Sequence, residues 1–96
     1  MPLARYTVEL SHPAAGWAEL QEIVARARQA AVEMRREGEQ IRFLRSVFVP
    51  EDDACFFLYE GPSARTVQAA VRRARIGETR VDETLRLDSQ EREEMA

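Results

Sequence analysis

Apolar and polar residues alternate or recur at helical spacing along most of the chain, and this pattern predicts six elements of secondary structure. Residues 3–10 alternate, which predicts a strand with Tyr6, Val8 and Leu10 on one side. Residues 17–37 carry apolar side chains at three- and four-residue steps, which predicts an amphipathic helix. Its apolar stripe consists of Trp17, Leu20, Val24, Ala27, Ala31 and Met34.

The remaining elements follow in the second half of the chain. Residues 41–49 and 54–60 predict two strands, joined by an acidic turn at residues 50–53 as in a β-hairpin. Residues 64–75 predict a second helix, and residues 81–87 predict a fourth strand. The expected helix boundaries are Gly38 after the first helix, Ser63 before the second and Gly77 after it.

The order β-α-β-β-α-β predicts an α+β domain of the ferredoxin-like kind. Right-handed crossovers fold this order into a sandwich, an antiparallel four-stranded sheet with both helices on one face. The chain of 96 residues has the length of one domain, which we assign to residues 1–87. The polar residues 88–96 are expected to form a flexible tail.

The second and third strands are apolar on both sides, which is typical of strands that are covered on both faces. Four apolar or aromatic residues are predicted to lie on the face without helices, namely Phe43, Val47, Phe57 and Tyr59. An apolar patch of that size normally marks an interaction site. We therefore expect a homodimer in which two sheets form an α+β barrel with a shared cavity.

Composition and charge narrow the functional classes. Apolar residues make up 45% of the chain and charged residues 32%, as in a folded globular domain. The net charge of −3 leaves no basic field for nucleic acid, and no apolar run approaches the roughly 20 residues of a membrane span. The single cysteine, Cys55, allows no internal disulfide and is expected to fill space in the core. We expect a cytoplasmic protein that binds neither nucleic acid nor a membrane.

Four polar residues are predicted to share the face without helices, namely Glu9, Arg45, Tyr59 and Glu83. Buried charges are costly unless they are paired. One interpretation is an ion pair of Arg45 with Glu9 or Glu83 that fixes the register of the dimer. The other is the polar end of a ligand pocket lined by Phe43 and Phe57, where Arg45 holds an anionic or carbonyl group. In that pocket Tyr59 would donate a hydrogen bond, and Glu9 or Glu83 would act as a base.

His12 is the single histidine and follows the first strand. It is the candidate metal ligand, with Glu9 as the nearest carboxylate. We assign no catalytic residue.

Residues 6–9, 42–49, 56–63, 67–73 and 81–84 carry a resemblance to a known family, most recognisably in the stretch from Tyr59 to Ser63. These stretches resemble a family of small bacterial ferredoxin-like proteins that includes a dimeric nickel-binding protein. The resemblance implies the same fold, a homodimer and a divalent metal such as nickel.

Three positions depart from that family. Its members usually carry His where this chain has Arg45, often His where it has Ala70, and commonly Cys where it has Phe57. Nickel favours imidazole among protein ligands, whereas the guanidinium group of arginine offers no lone pair. The departures imply that the metal site is degraded in this chain.

Three functions stay open at this point. The first is a dimeric protein that binds a small ligand or a metal between its sheets. The second is a small dimeric α+β barrel enzyme, of the monooxygenase, cyclase or isomerase type, that acts on an apolar small molecule. The third is an interaction scaffold without a ligand.

Overall fold

The structure is a computed structural model that describes residues 3–11, 13, 16–77 and 79–84. Its elements are β1 (Ala4–Ser11), α1 (Trp17–Arg36), β2 (Arg42–Val49), β3 (Ala54–Gly61), α2 (Ala64–Ala74) and β4 (Arg80–Thr84). A short 3₁₀ turn, Pro50–Asp52, joins β2 to β3. The predicted ferredoxin-like α+β fold is confirmed. The end of the predicted fourth strand and the predicted tail, residues 85–96, lie outside the described residues.

The four strands form one antiparallel sheet in the order β2-β3-β1-β4. β1 pairs with β3 in a register that places Val8 opposite Phe57. β2 is an outer strand and carries a β-bulge at Leu44, between Phe43 and Arg45. Because a bulge inserts one unpaired residue, Phe43 and Arg45 lie on opposite faces of the sheet although they are two residues apart.

Both helices pack on the same face of the sheet, and the core lies between the two layers. The buried residues of the helices are mostly alanine and valine. They are Leu20, Ala27, Ala30, Ala31 and Met34 from α1 and Val67, Ala70, Val71 and Ala74 from α2. The central strands contribute larger side chains, which are Tyr6, Val8, Leu10, Phe57 and Tyr59. The alanines let the helices lie close to the sheet, and the aromatic rings fill the space that remains. Neither of the helices in the described part of the chain is long and apolar enough to cross a membrane.

The predicted stripe of α1 is correct in its middle but wrong at its first residue. Leu20, Ala27 and Met34 are buried as expected, whereas Trp17 is 69% exposed. Trp17 borders an open groove between α1 and β2. Helical spacing predicts which residues share a side of the helix. It does not predict how far along the helix the sheet covers that side.

Two of the predicted helix boundaries are confirmed. Gly38 follows α1 with φ +99°, a left-handed conformation that glycine adopts without steric cost. Ser63 precedes α2, and its Oγ accepts a hydrogen bond from the backbone N–H of Thr66 at 3.3 Å.

The end of α2 differs from the prediction. Arg75, and not Gly77, takes the left-handed conformation directly after the helix, with φ +57°. Arg26 of α1 compensates by donating hydrogen bonds to the carbonyl groups of Ala74 at 3.0 Å and Arg75 at 3.3 Å. A cation at the C-terminus of a helix also interacts favourably with the helix dipole. This contact ties the two helices together.

Candidate functional site

The sheet face opposite the helices carries a strip of apolar side chains. We define the open-face strip as Val47 and Val49 of β2 and Phe56 and Leu58 of β3, with Val47 directly opposite Phe56. Val47 is 50% exposed and the other three are half-buried. None of the four belongs to the buried core or packs against it. No element in the described part of the chain covers this strip.

Two opposite charges flank the open-face strip. Arg45 lies on β2 opposite Leu58, and Glu9 lies on β1 opposite Phe56. β3 separates the two, and two strand spacings amount to about 10 Å. Arg45 forms no salt bridge with any residue that the structure describes. The face therefore presents, on one side of the strip, a cation without an ion pair among the described residues and, on the other side, a carboxylate.

Glu9 lies in a polar edge formed by β1 and β4. Ser11 Oγ donates a hydrogen bond to Glu9 Oε2 at 3.0 Å. Arg80 lies opposite Glu9, but its Nε donates to Asp82 Oδ2 at 2.8 Å. The carboxylate of Asp82, and to a smaller extent that of Glu9, raises the pKa of Arg80. Polar and charged groups therefore lie along the side of the strip that is next to β1.

Three predicted site residues lie on the helix face instead. Phe57 and Tyr59 are 0% exposed, and Phe43 packs against the core with its ring centroid 5.4 Å from that of Tyr59 and 6.3 Å from that of Phe57. The prediction that they face a second sheet is therefore wrong. The even-numbered residues of β3 face outward, and the bulge at Leu44 turns Phe43 inward. The predicted outward position of Val47 is confirmed.

Glu83 and His12 are the remaining predicted site residues. Glu83 lies opposite Tyr6, and Tyr6 faces the helices. The predicted position of Glu83 on the uncovered face is therefore wrong, because it shares the orientation of Val81, which packs against the core. His12 lies outside the described residues. The structure keeps two of the predicted residues on the uncovered face, Glu9 and Arg45.

Burial raises the pKa of two side chains under the helices, Tyr59 and Cys55. The hydroxyl of Tyr59 has no hydrogen-bond partner among the described residues, and burial raises its pKa. Burial also raises the pKa of the Cys55 thiol. A thiol that keeps its proton is a poor metal ligand and a poor nucleophile at neutral pH. The prediction that Cys55 fills space in the core is confirmed, because it is only 2% exposed.

The sequence pattern alone did not identify Phe56 and Leu58 as the outward pair. Both alternating sets of β3 are apolar, so alternation could not distinguish them. Glu60 is the residue that would have distinguished the two sets, since it shares the orientation of Phe56 and Leu58 and lies opposite Arg5. A charged residue in one set marks that set as the solvent side.

Comparison with known proteins places this chain in a family. The family model described as "Nickel responsive protein SCO4226-like" matches residues 7–83. The chain belongs to this SCO4226-like family. The crystal structure of SCO4226 from Streptomyces coelicolor A3(2) is similar, with a TM-score of 0.66 and 22% sequence identity. That match covers 88% of this chain and 100% of the other, and it shows a shared fold. No curated protein matches this chain.

The donor set of this SCO4226-like chain is poor for nickel. The described residues contain no group of three His, Cys, Asp or Glu side chains that would bind a metal ion. Arg45 has no lone pair to donate, and the thiol of Cys55 is buried and protonated. Glu9 is a single carboxylate. Within one chain, the described residues therefore do not fit a nickel site.

Proposed function

We propose that this SCO4226-like protein is a homodimeric binding protein whose two copies pack through the open-face strip. The observation that supports this is the strip itself, four apolar side chains on a sheet face that no described element covers. Removing apolar surface from water contributes about 25 cal/mol per Å². A second copy offers the same strip, so a single two-fold interface would cover both.

The flanking charges support this arrangement. A two-fold axis parallel to the strands and centred between β2 and β3, in the gap between two facing sheets, places β2 of each copy over β3 of the other, so that strip covers strip. Arg45 then lies about one strand spacing, roughly 5 Å, to the side of the β1 strand that carries the partner's Glu9. The two residues are offset by about 7 Å along the strands, which an arginine side chain spans. Two such pairs would each bring together charges that do not pair within one chain.

The enzyme alternative loses its main support. A cavity between the sheets was expected to have walls formed by Phe43, Phe57 and Tyr59, and these residues belong to the layer under the helices. The polar groups that flank the strip, Arg45 and Glu9, lie on the other face of the sheet, away from those three rings. A binding protein therefore agrees better with the geometry than a barrel enzyme does.

The dimer is tested by sedimentation of the purified chain at about 1–100 μM, a range whose upper end keeps an interface mostly dimeric when its dissociation constant is about 1 μM or lower. We expect a dimer for the wild-type chain and a folded monomer for Phe56→Glu, because each copy would bury an unpaired carboxylate against the apolar strip of the other. The matched control is Trp17→Glu, which changes an apolar residue that is 69% exposed on the helix side. A wild-type monomer, or a dimer that persists in Phe56→Glu, would contradict the proposal.

We propose in addition that the dimer binds nickel weakly, although the family is described as nickel responsive. A site would need Glu9 together with His12 or with donors from the partner. Calorimetric titration with nickel chloride is expected to show dissociation constants of roughly 0.1 mM or weaker, since a lone histidine and carboxylate leave most ligand positions to water. The variants His12→Ala and Glu9→Gln locate any binding, with Glu83→Gln as the control. Micromolar binding that is lost in His12→Ala would show that the site is intact.

A further inference from the structure

An open groove runs between α1 and the outer strand β2, on the helix side of the sheet. Its volume is about 420 Å³, which lies within the range of small-ligand sites. Most of the residues that line it are apolar, including Trp17, Leu20 and Val24 from α1, Phe48 from β2 and Cys55 from β3. The groove faces away from the open-face strip, so a ligand there would not compete with the proposed dimer.

Trp17 and Arg28 occupy opposite ends of the α1 wall, about three helical turns apart. Trp17 is the most exposed large apolar side chain in the described part of the chain. Its indole ring borders the groove without packing into the core. An amphipathic ring at the opening of an apolar groove gives a ligand a large contact surface at a low cost in conformational entropy.

Arg28 is the charged residue among those that line the groove. Its guanidinium carbon lies 5.2 Å from the centroid of the Phe43 ring, and it forms no salt bridge with a described residue. The other polar side chains of the groove, Gln21 and Ser46, are neutral. The lining of the groove therefore carries one positive charge and no negative charge, although the whole chain carries a net charge of −3.

We propose that this groove binds a small amphipathic carboxylate. The carboxylate would accept two parallel hydrogen bonds from the guanidinium group of Arg28, which lies over the ring of Phe43. The aliphatic or aromatic body would lie along the apolar wall towards Trp17. The chemistry follows from the lining, because an apolar groove with one cation and no described carboxylate favours an apolar anion over a neutral or cationic ligand.

Trp17 provides the measurement, because it is the only tryptophan of the chain. Its fluorescence is followed while the full-length protein is titrated with octanoate and, separately, with octan-1-ol. We expect a saturable change with octanoate, with a dissociation constant of roughly 0.1–1 mM for a ligand of this size. Octan-1-ol, which lacks the charge, is expected to bind about tenfold more weakly.

Two pairs of variants separate the groove from the rest of the surface. Arg28→Gln is expected to weaken octanoate binding about tenfold, whereas Arg65→Gln on α2 leaves it unchanged. Ala25→Glu places a carboxylate in the groove that repels octanoate, and we expect it to weaken octanoate binding by about threefold or more. Its control is Ala18→Glu, also an exposed alanine of α1, which leaves binding unchanged. All four positions are exposed, so the fold should persist.

The outcomes distinguish the groove from the open-face strip. Octanoate binding that survives in Phe56→Glu supports the groove, and binding that is lost there would assign the ligand to the other face. Equal affinity for octanoate and octan-1-ol, or an unchanged affinity in Arg28→Gln, would overturn the proposal. No saturable response of Trp17 up to about 10 mM octanoate would also overturn it.

Discussion

The two faces of the β2–β3 pair have similar compositions but opposite surroundings. On the helix face Phe57 and Tyr59 are 0% exposed and belong to one core cluster. On the other face Phe56 and Leu58 are only half-buried and pack against none of that core. The helices account for this difference, because both of them lie on the same side of the sheet. Apolar residues on both sides of a strand therefore predict that each side is in contact with something. They do not predict which side the helices cover.

The charged residues make the contrast sharper. The buried residues of the helix face are apolar or aromatic, with the hydroxyl of Tyr59 left without a partner among the described residues. The uncovered face carries Arg45 and Glu9 beside its apolar strip. Two separated opposite charges would be costly on a face that is buried within one chain. In a two-fold interface each charge can pair with the opposite charge of the partner.

The largest expected effect comes from truncating one phenylalanine on each face. Phe57→Ala should lower the free energy of unfolding by about 3–5 kcal/mol, because it opens a cavity in a close-packed core. Phe56→Ala should lower it by about 1 kcal/mol, and the stability of this variant should depend less on protein concentration if the strip is a dimer interface. Urea denaturation of both variants at matched concentrations measures the difference. Equal losses would mean that the two faces are packed alike.

Charge reversal tests the uncovered face by itself. Arg45→Glu should weaken dimerisation about tenfold, because it would place a carboxylate near the partner's Glu9. The double variant Arg45→Glu with Glu9→Arg should recover most of that loss, since it restores opposite charges in exchanged positions. Sedimentation equilibrium measures the dissociation constants, with Arg65→Glu on α2 as the control. Losses that simply add in the double variant would show that the two residues do not meet.

Alkaline pH tests the helix face by itself. Burial raises the pKa of Cys55 above its ordinary value of 9.0 and that of Tyr59 above 10.0, so the folded protein keeps both protons where the unfolded chain releases them. The free energy of unfolding should therefore fall as pH rises above about 9, by up to about 1.4 kcal/mol per pH unit for each retained proton. Urea denaturation between about pH 7 and pH 10.5 measures the slope, and Cys55→Ala should reduce it. Stability that rises with pH over this range would contradict the burial of both groups.

The smallest expected effect is a gain. Tyr59→Phe should raise the free energy of unfolding by about 1 kcal/mol, because it removes a buried hydroxyl that has no hydrogen-bond partner among the described residues. Tyr6→Phe, on the neighbouring strand in the same core, serves as the comparison. Thermal unfolding measures both. A loss of stability in Tyr59→Phe would show that the hydroxyl has a partner after all.

Most of the fold follows from the order and periodicity of the chain. Every predicted helix and strand in the described part is present, and α1 begins at Trp17 as expected. The exposure of Trp17 could not be predicted, because helical spacing carries no information about where the neighbouring layer ends. The left-handed conformation of Arg75 could not be predicted either. Arg26 donates hydrogen bonds to the last carbonyl groups of α2, and it is far from them in sequence.

The candidate site was harder to predict than the fold. Glu9 could be placed on the uncovered face because β1 has one apolar and one polar set. Arg45 also lies there, although the bulge at Leu44 changes the alternation of β2 around it. Bulges depend on how two strands pair, and the alternation of one strand gives no warning of them. The groove beside Arg28 arises from the spacing of two layers, which no local pattern encodes.

The bulge at Leu44 also bears on how the length of β2 can vary among relatives. Without Leu44, Arg45 would follow Phe43 directly, and ordinary alternation would still place the two on opposite faces. Removal of a later residue such as Ser46 would turn part of the strand over and carry polar groups into the core. The loss of one residue from this strand should therefore be tolerated next to Phe43 and selected against elsewhere. A deletion of Leu44 would leave Phe43 on the side of the core and Arg45 on the outer side.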